Sequence, residues 1–361
     1  MFTLFRNGNR FAVQLGIMLF VFAVTATQAA GERRNFVGYY PSWLSAQSRP
    51  LAATSAVYSH VVLAFARPDF SWDGKSWSGT GLQFSQQPAV VKNQMRILRA
   101  HGTRVLLAVG GATYLNWAPL AAEGDKPGLI TAALTRFVST MGFDGIDVDY
   151  EREGASAEVV TQYGAAIAVL RRTTPGKLLS LAAWSTGADC TPDTGNVPCD
   201  GQFSSTSGSA GRERLLLHDS ETMGKIDLVN VMSYDAGVSG YDPVKAFALY
   251  RDLLPARVAV NLGFEIAPEG WGGATLVQDD AAARCPSAMI TQDQFGNPVH
   301  RTYALQRGLQ DGPLTLRPNS NAHDGAMLWH IVKNQNLPVC GHRAVLSVDS
   351  LQKAAAILLS R

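Results

Sequence analysis

The sequence predicts a single (β/α)8 TIM barrel of the α/β class, and three observations carry that expectation. Short β-rich runs alternate with helix-like segments along the chain, the pattern that builds a parallel sheet covered by helices. Eight such runs can be counted, and eight is the number at which that sheet closes on itself. The chain has 361 residues, 46% hydrophobic and 17% charged, enough to bury a large core, and α/β barrels reach this length as one domain. A doubly wound open sheet is the alternative. No GxGxxG turn follows the first run, which counts against it.

Residues 1–30 are set apart from the fold. Arg6 and Arg10 form a short basic n-region, Phe11 to Val24 is apolar apart from Gln14, and Thr27-Gln28-Ala29-Ala30 offers small residues for cleavage. This is the pattern of a secretory signal peptide. The apolar run is short for a membrane anchor. The expectation is an exported protein, extracellular or periplasmic, whose residues 31–361 form the barrel domain.

The predicted strands are Asn35–Pro41, Tyr58–Ala66, Thr103–Gly110, Gly142–Glu151, Lys177–Ser185, Ile226–Asp235, Arg257–Phe264 and Gly325–Val332. Helix-like spacing is found over Ala89–Ala100, Leu129–Met141, Ala155–Arg172, Arg212–Met223, Pro243–Leu253 and Ser350–Leu359. Ala155–Arg172 places small and apolar residues at helical spacing and ends in a charged pair before Pro175. Solenoid-length repeats and linkers rich in Pro, Ser or Thr are not evident, so no appended module is expected.

Composition narrows the partners. A formal net charge of +2 argues against a dominant electrostatic role on nucleic acid or on membranes. The four cysteines, Cys190, Cys199, Cys285 and Cys340, all follow the leader, and an even count in an exported chain points to disulfides. A local Cys190–Cys199 bridge with Cys285–Cys340 is one of three connectivities, and the spacing does not choose among them. A zinc site is the rival reading. It lacks a CxxC pair and an HExxH, and the seven histidines are scattered. No metal or cofactor is expected.

The chemistry concentrates in the fourth predicted strand, Phe143-Asp144-Gly145-Ile146-Asp147-Val148-Asp149-Tyr150-Glu151. Side chains alternate faces along a strand, so Asp147, Asp149 and Glu151 share one face while Ile146, Val148 and Tyr150 share the other. Like charges in line are costly, and one of the three is expected to hold a proton. Repulsion within the array raises the Glu151 carboxyl and suits it to acid/base work. Glu151 ends the strand, at the barrel face where active sites form. Asp144 has the opposite parity and reads as structural. A Ca²⁺ loop needs flexible turn residues and a later bidentate Glu, which the alternating apolar residues here do not allow. Loops after the strands carry aromatics suited to stacking on sugars, namely Trp72, Trp77, Tyr114, Trp117 and Trp271, although plain packing explains buried aromatics equally well.

Asp144-x-x-Asp147-x-Asp149-x-Glu151, with Gly145, resembles the DGxDxDxE signature of family 18 glycoside hydrolases. Further segments resemble that family in the same order: Phe36-Val37-Gly38-Tyr39-Tyr40-Pro41, Val105 to Gly111, Met232-Ser233-Tyr234-Asp235 and Gly325-Ala326-Met327-Leu328-Trp329. The resemblance implies a retaining, substrate-assisted hydrolysis in which the substrate's own N-acetyl carbonyl attacks the anomeric carbon, the recognised exception to the two-carboxylate scheme. Glu151 would then be the general acid and later the base. Asp149 would orient the acetamido group, Asp147 would share a proton with Asp149, and Tyr234 would bond the acetamido carbonyl. Asp235, Met232, Trp329, Tyr39, Phe65 and Trp117 complete the expected substrate contacts, with Trp329 as the pocket floor. Ala108 departs from the pattern, because the family usually has Ser there, bonded to the inner carboxylate. The missing hydroxyl predicts a shifted pH profile.

The resemblance implies a secreted chitinase acting on chitin or N-acetylglucosamine oligosaccharides; a monomer is expected. An endo-β-N-acetylglucosaminidase of N-glycan cores and a carbohydrate-binding lectin on the same barrel are the competing readings. The Met-x-Tyr-Asp segment favours the first, and the presence of Glu151 counts against the last. The interval from Phe264 to Gly325 is too short for the full α+β insertion of some family chitinases, which predicts a shallower, open groove.

Overall fold

The computed structural model describes residues 34–54, 56–191, 208–234, 236, 243–266, 275–277, 291–292, 298–299, 302–304, 321, 323–332, 335–339 and 342–346. Eight strands close into a parallel barrel: β1 (Phe36–Pro41), β2 (His60–Ala66), β3 (Arg104–Gly110), β4 (Gly145–Asp149), β5 (Leu178–Trp184), β6 (Leu228–Met232), β7 (Ala259–Ile266) and, after four short strands, β12 (Gly325–Trp329). Neighbours pair in chain order, and β12 pairs with both β7 and β1, which closes the ring. All eight predicted strands are present.

Helices fill the crossovers. α1 (Pro88–Ala100), α2 (Ala118–Ala122) and α3 (Leu129–Met141) precede β4, and α4 (Ala157–Thr173) follows it. α5 (Arg212–His218) and α6 (Ser220–Gly224) lie between β5 and β6, and α7 (Pro243–Leu253) leads into β7. Ser156 caps α4 by accepting a hydrogen bond from the Val159 N–H at 3.4 Å, which satisfies an end donor. α3 stops at Gly142, whose φ of 81° suits the left-handed turn. The predicted helix over Arg212–Met223 is broken in two. Asp219 ends α5 and turns its carboxylate onto the N–H groups of Glu221 and Thr222, starting α6. The predicted Ser350–Leu359 helix lies outside the described residues.

Between β7 and β12 the described residues form only short strands. They are β8 (Thr275–Val277), β9 (Thr291–Gln292), β10 (Pro298–Val299) and β11 (Thr302–Ala304). β8 extends the sheet beside β7, and β11 pairs parallel with β8. An antiparallel pair, β13 (Gln335–Val339) with β14 (His342–Leu346), follows β12.

The core has two layers, as strand parity requires. Outward residues such as Ile146, Val148 and Tyr150 pack with the helices in a large cluster. Inward residues such as Val37, Tyr39, Val62, Ala108, Met232 and Met327 form a smaller cluster inside the ring. The inside is not wholly apolar. Asp147, Ser180, Asn230 and Asn261 are also buried there, and a buried polar group must be bonded to be tolerated. On the outside, Arg251 of α7 forms a buried pair with Asp324 at 2.8 Å, and Asp324 also accepts from the Val260 N–H. That pair ties the start of β12 to β7.

Candidate active site

The C-terminal ends of the strands surround a cleft of about 530 Å³, within the usual range for small-ligand sites. Its walls include Asp149, Glu151, Met232, Tyr234, Phe65 and Trp329, all foreseen from the sequence, together with Trp43 and Trp184, which were not. Asp235 lies outside the described residues. Among the described residues no cluster of three or more His, Cys, Asp or Glu is arranged to hold a metal ion.

The tip of β4 is placed by the two glycines that end β3. Gly110 has φ 113°, and a Cβ there would fall 2.0 Å from the Asp149 carbonyl oxygen. The Gly111 N–H donates to that oxygen at 2.9 Å. Only glycine lets the two strands approach this closely at the point where the carboxylates emerge.

Asp147 is fully buried beneath the cleft, and its neighbours hold it with three donors. Tyr39 donates to Oδ2 at 2.8 Å, Ser180 donates to Oδ1, and the Asn230 amide reaches Oδ1 at 3.4 Å. Asn261 supports Asn230 through a 2.9 Å bond to its amide oxygen. Burial raises the Asp147 carboxyl and the bonds from Ser180, Tyr39 and Asn230 pull it only part of the way back, which leaves it at about 6. Tyr39 is correspondingly held well above the ordinary phenol value, by burial first and by the charge of Asp147 next.

Ala108 and Ser180 occupy the same register position on either side of Asp147. The hydroxyl missing from β3 is therefore supplied from β5. Our expectation for Ala108 changes accordingly, because Asp147 is not short of a hydroxyl donor.

Asp149 is 3% exposed, and its Oδ1 is buried with no hydrogen-bond partner. The expected bond to Asp147 is not formed in this geometry, since Asp147 is already occupied by its three donors. Burial raises the Asp149 carboxyl well above its ordinary value, with the negative charges of Glu151 and then Asp147 adding to it and Arg212 opposing. A carboxyl with that bias and an unpaired oxygen at a cleft wall is prepared to donate or accept as a ligand demands.

The aromatic wall is assembled from three strand ends. Trp329 packs on Phe65 at 5.7 Å between ring centroids, Trp43 on Phe65 at 5.9 Å, and Trp43 lies 6.3 Å from Trp329. Trp43 is 40% exposed, the only large aromatic among the exposed hydrophobics of the described residues. The peptide bonds Ala64–Phe65 and Trp329–His330 in this wall are cis. Tyr234 turns its hydroxyl toward the Met327 sulfur at 3.8 Å. Met232 and Tyr234 lie inside the barrel with Met327 and Trp329, as strand parity predicted.

Three expectations need correction. Trp117 is fully buried and packs against Tyr150 at 5.1 Å, behind the strand and away from the cleft. Tyr39 is buried as well, and it acts on Asp147 instead of facing the open groove. Trp72 and Trp77 pack around Phe137, which makes them core residues, while Trp271 lies outside the described residues. Asp144 is structural as expected: its Oδ2 accepts from the Val105 N–H at 2.8 Å at the opposite end of the barrel.

A closed (β/α)8 barrel with a row of carboxylates at the tip of its fourth strand, facing an aromatic-walled cleft, defines a class of barrel with a sugar-sized acidic site. The chain belongs to the glycosyl hydrolases family 18, whose sequence profile matches residues 35–264. A chitinase from Plasmodium falciparum is 29% identical over 170 residues, 42% of this chain and 43% of that protein. A chitinase from Enterococcus faecalis is 26% identical over 155 residues, 37% of this chain and 42% of that protein. The matched stretch thus spans less than half the length of either relative. Among solved structures, a GH18 chitinase from Pseudoalteromonas aurantia superposes with a TM-score of 0.56 at 17% identity, covering 90% of this chain and 99% of that one. One from Chromobacterium violaceum gives 0.54 at 17% identity over 91% and 84%. A mutant GH18 chitinase from Cycas revoluta in complex with (GlcNAc)4 gives 0.52 at 15% identity over 90% and 99%. These likenesses establish the fold.

Proposed function

We propose that the protein is a chitinase that hydrolyses β-1,4 bonds between N-acetylglucosamine units with retention, using the substrate's acetamido group as nucleophile. The observation that carries this reading is that Asp149 and Glu151 line the same cleft as Tyr234 and Trp329. Glu151 protonates the leaving oxygen and then activates water. Asp149, biased toward its protonated form, accepts the acetamido N–H on its carbonyl oxygen and so orients the acetamido group for the internal attack. Asp147 stays beneath as a fixed, thrice-bonded carboxyl. Trp329 supports the apolar face of the bound sugar, and Tyr234 addresses the acetamido carbonyl.

Export and cysteine pairing belong to the same reading. The basic and apolar run of residues 1–30 and the even cysteine count support them, and Cys190 is not a free thiol.

The test is product release from defined N-acetylglucosamine oligomers beside a high-mannose glycoprotein. Cleavage of the oligomers by the wild type is expected, and Glu151→Gln should lose about a thousandfold in kcat, the scale of a general acid, while retaining oligomer binding. Cleavage of the glycoprotein alone would establish an endo-β-N-acetylglucosaminidase. Binding without cleavage of either substrate would establish a lectin.

A further inference from the structure

Arg212 and Glu213 open α5 and are both 0% exposed, with their side chains joined at 2.6 Å. A buried ion pair is costly to desolvate and rarely justified by stability alone, so its connections identify its task. Most of them lead to residues that flank Glu151 or to Trp184. Arg212 Nη1 donates to the Arg152 carbonyl oxygen at 2.8 Å, one residue beyond Glu151. Its guanidinium lies 5.6 Å from the Tyr150 ring centre, one residue before Glu151, and 5.4 and 5.8 Å from the Tyr163 and Trp184 rings. Glu213 Oε1 accepts from both Arg212 and the Trp184 N–H, the latter at 3.2 Å. Tyr250 donates to the Trp184 carbonyl at 2.7 Å. Trp184 is itself a wall of the cleft.

We propose that Arg212 and Glu213 form a positioning pair that ties the Tyr150 ring and the Arg152 backbone, on either side of Glu151, to the Trp184 wall and sets a buried cation behind the Asp149–Glu151 carboxyls. The proposal rests on the reading of Glu151 as the acid. Neither residue touches substrate, so both act through the groups they hold. Arg212 opposes the upward shift of Asp149, as a nearby cation must. The charged and titratable groups around this centre are Asp147 on β4, Glu151 just past its end, Tyr39 on β1, Tyr163 on α4, Glu213 on α5 and Tyr250 on α7. Arg212 is the cation that faces Asp149 among them, and Glu213 partly neutralises it.

Opposite signs follow for the two halves of the pair, and a merely structural role would not produce them. Removing the cation in Arg212→Gln should move the Asp149–Glu151 titration up by about half a unit or more, whereas Glu213→Gln leaves the cation unbalanced and should move it down by a similar amount. Arg212→Lys keeps the charge but not the fork; it should leave the titration within about 0.2 units while kcat drops about tenfold, with KM changed less than about threefold. The readouts are the pH profile of kcat/KM on an N-acetylglucosamine oligomer and, independently of turnover, the side-chain carboxyl 13C titration of Asp149. If the oligomer is not cleaved by wild type, the function has failed, and the carboxyl titration still decides the pair. Shifts of the same sign in Arg212→Gln and Glu213→Gln would overturn the proposal. So would a loss of kcat in Arg212→Lys that matches a loss of folded protein.

Discussion

Ser180→Ala isolates the control of the inner carboxylate. Ser180 donates to Asp147 Oδ1 in the buried barrel interior, and its removal leaves Tyr39 and the longer Asn230 contact to hold the charge. A hydrogen bond to a charged group contributes about 1.5–3 kcal/mol, and one unit of pKa is about 1.36 kcal/mol. Losing the bond therefore raises Asp147 by about 1–2 units from its value of about 6. The sign is upward because the hydroxyl favours the charged form. The acid limb of kcat/KM, which reports the free enzyme, should move up with it, and activity near pH 6 should fall about fivefold for a one-unit shift.

Stability carries the same signature. Asp147 is raised from 3.8 to about 6 in the folded protein, so its ionisation weakens the fold as pH rises from the ordinary value through the folded one. In Ser180→Ala the folded value is higher, so the extra loss of stability appears only between about pH 6 and 8 and is absent near pH 5. Ala108 provides the control, since it flanks Asp147 from the other side at the same register. Ser180→Ala with Ala108→Ser moves the hydroxyl from β5 to β3 and should bring the limb back to within about 0.3 units. An unmoved limb in Ser180→Ala, or no recovery in the double variant, would refute the assignment of Ser180 as the donor that tunes Asp147.

Two further outcomes are expected. Trp43→Ala removes the exposed end of the aromatic wall and should raise KM for an N-acetylglucosamine tetramer about tenfold, the equivalent of about 1.4 kcal/mol, with kcat unchanged; steady-state kinetics check it. Asp144→Ala strands the Val105 N–H and should cost about 1–3 kcal/mol in denaturant unfolding, with kcat/KM per folded molecule unaltered.

What the sequence disclosed and what it concealed differ in physical kind. The eight strands, and the bounds of Leu129–Met141 and Pro243–Leu253, were legible because alternation and helical spacing are local properties. Parity alone put Asp147 and Asp149 inward and Tyr150 outward. The split at Asp219 was written locally too, as an Asp that accepts from N–H groups two and three residues ahead, but a continuous helical period hid it. Trp117 and Trp43 show the limit. Both are aromatics just after a strand, and nothing in their neighbours says that one packs on Tyr150 while the other stays exposed at the cleft.

Ser180 was concealed for a different reason. Within Leu178–Trp184 it is one small polar residue in an apolar run, and its meaning appears only once β5 is paired to β4 in register with Asp147. The same pairing changes what Ala108 implies: two strands flank the inner carboxylate, so a hydroxyl on either can serve it. A motif read along one strand specifies which acids are present. Burial raises those acids first, and the rise is opposed across strands, by Tyr39, Ser180 and Asn230 below Asp147 and by Arg212 near Asp149. The chemistry of this cleft is therefore specified by residues outside the acidic run as well as by those within it.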